Sequence, residues 1–197
     1  MELSQHMLVT RKSILFTLPL LLALSGQAFG QATLDNLLST VQVSGSKTCA
    51  QVEINLNRPA SVVGEKAVSY LRDYARKGRF FLFIHFPDID LNGHSYGENS
   101  DAYDSAMVEC DRWLGKIMTE LENQGIDGRT LVYVSADHGF EAGSKNHRNA
   151  PHIFLATSDP SVSHAGQQRD ITPTILRAMG VDLSKIIPAL PGKPLGK

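Results

Sequence analysis

Leu131-Val132-Tyr133-Val134-Ser135-Ala136-Asp137-His138-Gly139 is the stretch on which the fold turns. A continuous apolar run stops abruptly at an acid, an imidazole and a glycine. Such a run reads as a strand buried on both faces, the kind that parallel sheets contain. Its end falls where open α/β sheets place their ligands, at the carboxyl edge. A second apolar run, residues 80–86, is followed by Asp90-Leu91-Asn92-Gly93-His94. Two strands that deliver Asp and His to one edge point to a metal site.

Outward from these strands the pattern alternates between strand and helix. Val62, Val63, Ala67, Val68, Leu71, Tyr74 and Ala75 recur at helical spacing, and Lys77-Gly78 supplies a stop. Tyr103, Ala106, Met107, Cys110, Trp113, Leu114, Ile117, Met118 and Leu121 mark a long amphipathic helix that closes near Gly125. A third apolar run, 153–156, follows the Asp-His loop. Asp170-Ile171-Thr172-Pro173 opens a last helix through Met179, with Gly180 just past its end. Strand and helix in alternation with short connections predict an α/β domain, its sheet mostly parallel and flanked by helices. This domain is expected over residues 60–183. Residues 31–59 are weakly patterned, with a short helix hinted at by Leu34, Leu37, Leu38 and Val41 and an alternating stretch at 51–56. The Pro- and Gly-containing end, 184–197, reads as a flexible tail.

The first thirty residues carry a leader pattern. Arg11 and Lys12 precede an apolar run from Ile14 to Leu24, and Ala28 and Gly30 offer small residues for a cut after Gly30. The run is short for a bilayer-spanning helix, so a signal peptide and export to a periplasmic or extracellular space are expected, with no membrane attachment after cleavage. The formal net charge of −1, without a basic run, gives no footprint for nucleic acid or an anionic membrane. Export permits a disulfide between the two cysteines, Cys49 and Cys110, without requiring one.

Asp90 and His94 can converge on one cation if the segment turns tightly, and Gly93 permits such a turn. Asp137 and His138 are adjacent and would point to opposite faces of a strand, so they can share a cation only where the chain leaves it. His147 follows in the loop 143–149, within reach of the same edge. Carboxylate with imidazole suits zinc, manganese or iron better than calcium. Asp88 reads either as a further ligand or as a cap of the turn after Pro87. His85, His152 and His164 read as ordinary structural or solvated histidines. The same plain reading, solvated loop side chains, applies to each of the five candidates singly and weakens when they gather at one edge.

The runs Pro87-Asp88-Ile89-Asp90-Leu91-Asn92-Gly93-His94-Ser95-Tyr96-Gly97, Asp137-His138-Gly139-Phe140 and His147-Arg148-Asn149-Ala150-Pro151 resemble the alkaline phosphatase superfamily. The likeness is to its nucleotide pyrophosphatase/phosphodiesterase-like and sulfatase-like branches, and it extends through Asp170-Ile171-Thr172-Pro173. It implies a metal-dependent hydrolase of phosphate or sulfate esters that holds one or two divalent ions, zinc foremost. Asp90, His94 and His147 match the ligands of one ion, and Asp137 and His138 two ligands of the other, with the pair about 4 Å apart.

The resemblance also implies an N-terminal strand ending in aspartate and a hydroxyl or thiol nucleophile beyond it. No apolar strand ending in Asp-Gly stands between residue 30 and Phe80, so the fold is expected to be incomplete in its N-terminal half and no catalytic nucleophile is assigned. A missing interior strand would leave an exposed sheet edge and favour self-association. The alternative function is a non-catalytic metal-binding fragment or binding module of the same fold.

Overall fold

The computed structural model describes residues 13–17, 58–75 and 78–196. Among these, four strands form one sheet in the order β2-β1-β3-β4. They are β1 (Ser13–Thr17), β2 (Phe81–Ile84), β3 (Thr130–Ser135) and β4 (Leu155–Thr157). β1 runs parallel to both neighbours, with Leu15 opposite Leu82 on one side and Val132 on the other. β4 closes the far edge antiparallel, Val134 facing Ala156. The mostly parallel sheet expected from the alternating pattern is present.

Helix α1 (Ala60–Tyr74) starts directly after Pro59, and helix α3 (Asp101–Asn123) starts at Ser100, whose hydroxyl accepts the Tyr103 amide at 3.2 Å. A shorter helix, α2 (Asp88–Tyr96), lies between β2 and α3. Helix α4 (Ile171–Ala178) ends at Gly180, whose φ of 83° is the left-handed stop that glycine takes without strain.

The strand periodicity of two splits the apolar side chains between two cores. Leu82, Ile84 and Val132 face Val63, Ala67 and Leu71 of α1 and Ile117 and Leu121 of α3. Leu131 and Tyr133 face Ile171 and Ile175 of α4, with Phe81 and Phe83 beside them. Helices therefore cover both faces, which is why β3 reads as an unbroken apolar run. Across the first core, the buried Glu120 accepts from Arg72 Nε at 3.0 Å and from Gln124 at 2.8 Å. The Gln124 bond first, and then Arg72, hold its carboxyl below the usual range.

Three expectations meet a different structure. Asp90 and His94 do not converge through a turn at Gly93: residues 88–96 are helical, and four residues is one turn of that helix. The end of the chain is not a free tail through Gly196. Ser163 N donates to Leu195 O, Leu195 N to Thr174 Oγ1, and Leu195 is only 5% exposed. Proline and glycine forbid regular structure there but not docking, so composition alone misleads.

Finally, the interior position of the sheet is filled, and by residues inside the segment read as a leader. A short apolar run satisfies both descriptions, because periodicity cannot separate a hydrophobic leader from a fully buried strand. A cut after Gly30 would remove β1 from between β2 and β3. The segment 31–57 and Cys49 lie outside the described residues; Cys110 is buried.

Candidate metal centre

Helix α2 begins with Asp88 and Asp90 in its first turn, where the helix dipole favours acids. Asp90 Oδ1 lies 3.4 Å from His94 Nε2 one turn later. The loop after β3 brings the other half. Ser135 Oγ donates to the Phe154 carbonyl at 2.6 Å, ending the strand. Beyond it His138 Nε2 reaches 3.7 Å from Asp90 Oδ1 and 3.6 Å from Asp137 Oδ2. His147 Nε2 stands 3.1 Å from His94 Nε2, and its ring stacks on His138 with centroids 3.8 Å apart.

The chain holds this loop against α2 from both sides. Glu98 N donates to the Ser144 carbonyl at 2.9 Å, and Gly143 N donates to the Glu98 carboxylate at 2.8 Å. Lys145 Nζ donates to the Ser95 carbonyl at 2.6 Å. Within the loop, one Glu141 oxygen accepts both the backbone N–H and the side-chain amide of Asn149. Phe140 forms an apolar post among the imidazoles, 5.3 Å from His94, 5.6 Å from His147 and 6.0 Å from His138 between ring centroids. A Cβ on Gly93 would come within 2.5 Å of the Phe140 ring, so this glycine serves close packing rather than a turn.

The tautomers follow from the partners. His94 Nδ1 lies 2.9 Å from the Lys145 carbonyl and His138 Nδ1 lies 3.0 Å from the Gly139 carbonyl. A carbonyl only accepts, so in the neutral rings Nδ1 carries the hydrogen and Nε2 is left as a lone pair. Backbone carbonyls commonly orient metal-binding imidazoles in this way. Both Nε2 atoms then face Asp90 Oδ1, which is buried and has no hydrogen-bond partner among the described residues. A buried carboxylate oxygen surrounded by lone pairs is costly unless a cation or proton joins it. Asp90, His138 and His147 offer ligand atoms all within 4.8 Å of one another.

All five residues singled out in the sequence thus lie in one neighbourhood. Asp90, His94 and His147 lie together, and His138 Nε2 stands between the two expected sets, 3.6 Å from Asp137 Oδ2 and 3.7 Å from Asp90 Oδ1. Burial pushes the Asp137 carboxyl above its usual range, against the opposing effect of His138. His85, read as an ordinary histidine, also borders the site. Its buried Nδ1 has no partner among the described residues, and Asp137, Asp90 and Asp88 all act on its charge. Burial nonetheless dominates and lowers its pKa. Asp88 Oδ2 is likewise buried without a partner, so Asp88 does not cap the turn through that atom. The missed signal for His85 was its place one residue past β2, at the same carboxyl edge.

The family of type I phosphodiesterases and nucleotide pyrophosphatases matches the chain over residues 39–171. The chain belongs to that family. With it comes membership of the alkaline phosphatase superfamily, as the three motif runs implied. Human arylsulfatase D is 28% identical over 89 residues, covering 43% of this chain and 15% of that protein. Mouse ectonucleotide pyrophosphatase/phosphodiesterase family member 1 is 33% identical over 64 residues, covering 32% of the chain and 7% of the relative. The crystal structure of Ps i-CgsB superposes with a TM-score of 0.53 at 17% identity, over 70% of this chain and 37% of that one. That last likeness is one of fold. This family member spans well under half the length of each of these three proteins.

Proposed function

We propose that the chain is a metal-dependent hydrolase of phosphate or sulfate esters, with Asp90, His94, His138 and His147 holding a divalent ion and Asp137 bordering it. The observation that carries this reading is the buried, unpartnered Asp90 Oδ1 faced by the Nε2 lone pairs of His94 and His138. One carboxylate with three imidazoles suits zinc, and manganese or iron next, better than an all-oxygen cation. A bound ion of this class supplies positive charge to ester oxygens as they become more negative. The residues themselves fix the ligand geometry: Lys145 and Gly139 carbonyls orient the rings, and Phe140 packs among them. The names of the arylsulfatase and pyrophosphatase/phosphodiesterase relatives support the ester class.

A second reading, metal binding without turnover, is favoured by one observation. β1 reads Ser-Ile-Leu-Phe-Thr, a sequence without a carboxylate, and the residues that follow it lie outside the described residues. Hydrolysis of bis(4-nitrophenyl) phosphate and of 4-nitrophenyl sulfate separates the two. The hydrolase reading expects one of them to be cleaved, with activity lost on chelation, restored by zinc and absent in His94→Ala. Zinc-loaded protein that cleaves neither supports the second reading and overturns the first.

The compartment depends on residues 13–17. Export rests on the leader pattern of residues 11–30, part of which also forms β1. No helix among the described residues is long and apolar enough to cross a membrane.

A further inference from the structure

Beside the metal centre, a recess of about 370 Å³ lies between residues 164–170 and the chain end at 191–195. Its size is within the range of small-molecule sites, about 300–1,000 Å³. His164, Arg169 and Lys193 line it, and neither Arg169 nor Lys193 stands within ion-pair distance of a carboxylate among the described residues. The one acid in the lining, Asp170, is already engaged: Oδ2 accepts Gln167 N and Oδ1 accepts Lys193 N, each at 2.8 Å. Asp170 thus ties the two walls together through these backbone donors, and its charge also acts on Arg169 and His164.

The walls are closed by close packing. A Cβ on Gly166 would sit 2.2 Å from Leu195 Cδ2, and one on Gly192 would sit 2.0 Å from the Arg169 carbonyl oxygen. Leu195 N to Thr174 Oγ1 and Ser163 N to Leu195 O, both 2.9 Å, hold the outer strap. The recess is therefore built into the fold before any ligand arrives. It also adjoins the site. Gln168, between two lining residues, donates from Nε2 to the Asp137 carbonyl at 2.8 Å.

We propose that this recess binds a second anionic group of the substrate, a phosphate or sulfate, through the guanidinium of Arg169 and the ammonium of Lys193. The inference rests on the ester-hydrolase reading and narrows it to esters that carry two anionic groups. Arginine and lysine are the side chains suited to such oxyanions, the first by its fork of donors and the second as a point charge.

The test uses the full chain, stripped of metal by chelation and dialysed, titrated with inorganic phosphate at low ionic strength, where surface charge is least screened. Saturable binding is expected, weakened about tenfold or more in Arg169→Gln/Lys193→Gln and largely kept in Arg169→Lys. The backbone bond of Lys193 N to Asp170 survives these changes, and zinc affinity and the melting curve of the double variant should match the parent. Absence of saturable phosphate binding, or equal binding by the double variant, overturns the recess as an anion site. Loss of ester hydrolysis with phosphate binding intact removes the hydrolase reading and leaves the recess standing, so the two failures are distinguishable.

Discussion

Asp90 and His94 stand on a helix, whereas His138 and His147 stand on a loop, and the two halves of the centre are held by different forces. The helical pair needs only the backbone bonding of α2 to keep its one-turn spacing. The loop pair depends on contacts made across the chain: Glu98 with Gly143 and Ser144, Lys145 with His94 and Ser95, and Glu141 with Asn149. The spacing within one half is therefore set by local backbone bonds, and that within the other by contacts from elsewhere in the chain. Phe140 is the contact between them, packed on Gly93 and amid three imidazoles.

That contrast breaks most severely at Gly93. Val at this position forces Phe140 away, because the added Cβ alone would stand 2.5 Å from its ring. Overpacking of this kind costs about 1–3 kcal/mol. The melting temperature should fall by several degrees, while hydrogen exchange rises in 138–150 more than in 88–97. Unchanged stability would mean that Phe140 is not seated against the helix.

A smaller effect is expected from Glu141→Ala, which removes the acceptor for both donors of Asn149. The loss should be about 1 kcal/mol, since these bonds are exposed. Amide protection should drop around His147 and stay constant in α2. An equal drop in both segments would show that the halves are one cooperative unit, contrary to the comparison.

The sequence carried the same asymmetry. Strand β3 and the Asp-His pair at its end were legible because an apolar run has few ways to stop. The helices α1, α3 and α4 were legible from their periodicity and caps. Helix α2 was not, since Asp-Ile-Asp-Leu-Asn-Gly-His-Ser-Tyr is polar and contains a glycine, and only its packing against α3 and Phe140 stabilises it as a helix. β1 was hidden for another reason: a basic pair before an apolar run has two physical readings, and only pairing partners distinguish them. His85 was legible only from its place one residue past β2, and the recess at Arg169 and Lys193 depends on segments far apart in the chain, which no local pattern reports.

The central claim is that the helical and loop halves meet around one divalent cation. Zinc titration of the metal-free protein, alongside Asp90→Ala, tests it most directly, because Asp90 Oδ1 is the atom that both halves approach. Saturable binding is predicted, with affinity at least about 100-fold weaker in Asp90→Ala and helical content preserved. Zinc affinity that is the same with and without the Asp90 carboxylate would contradict the account.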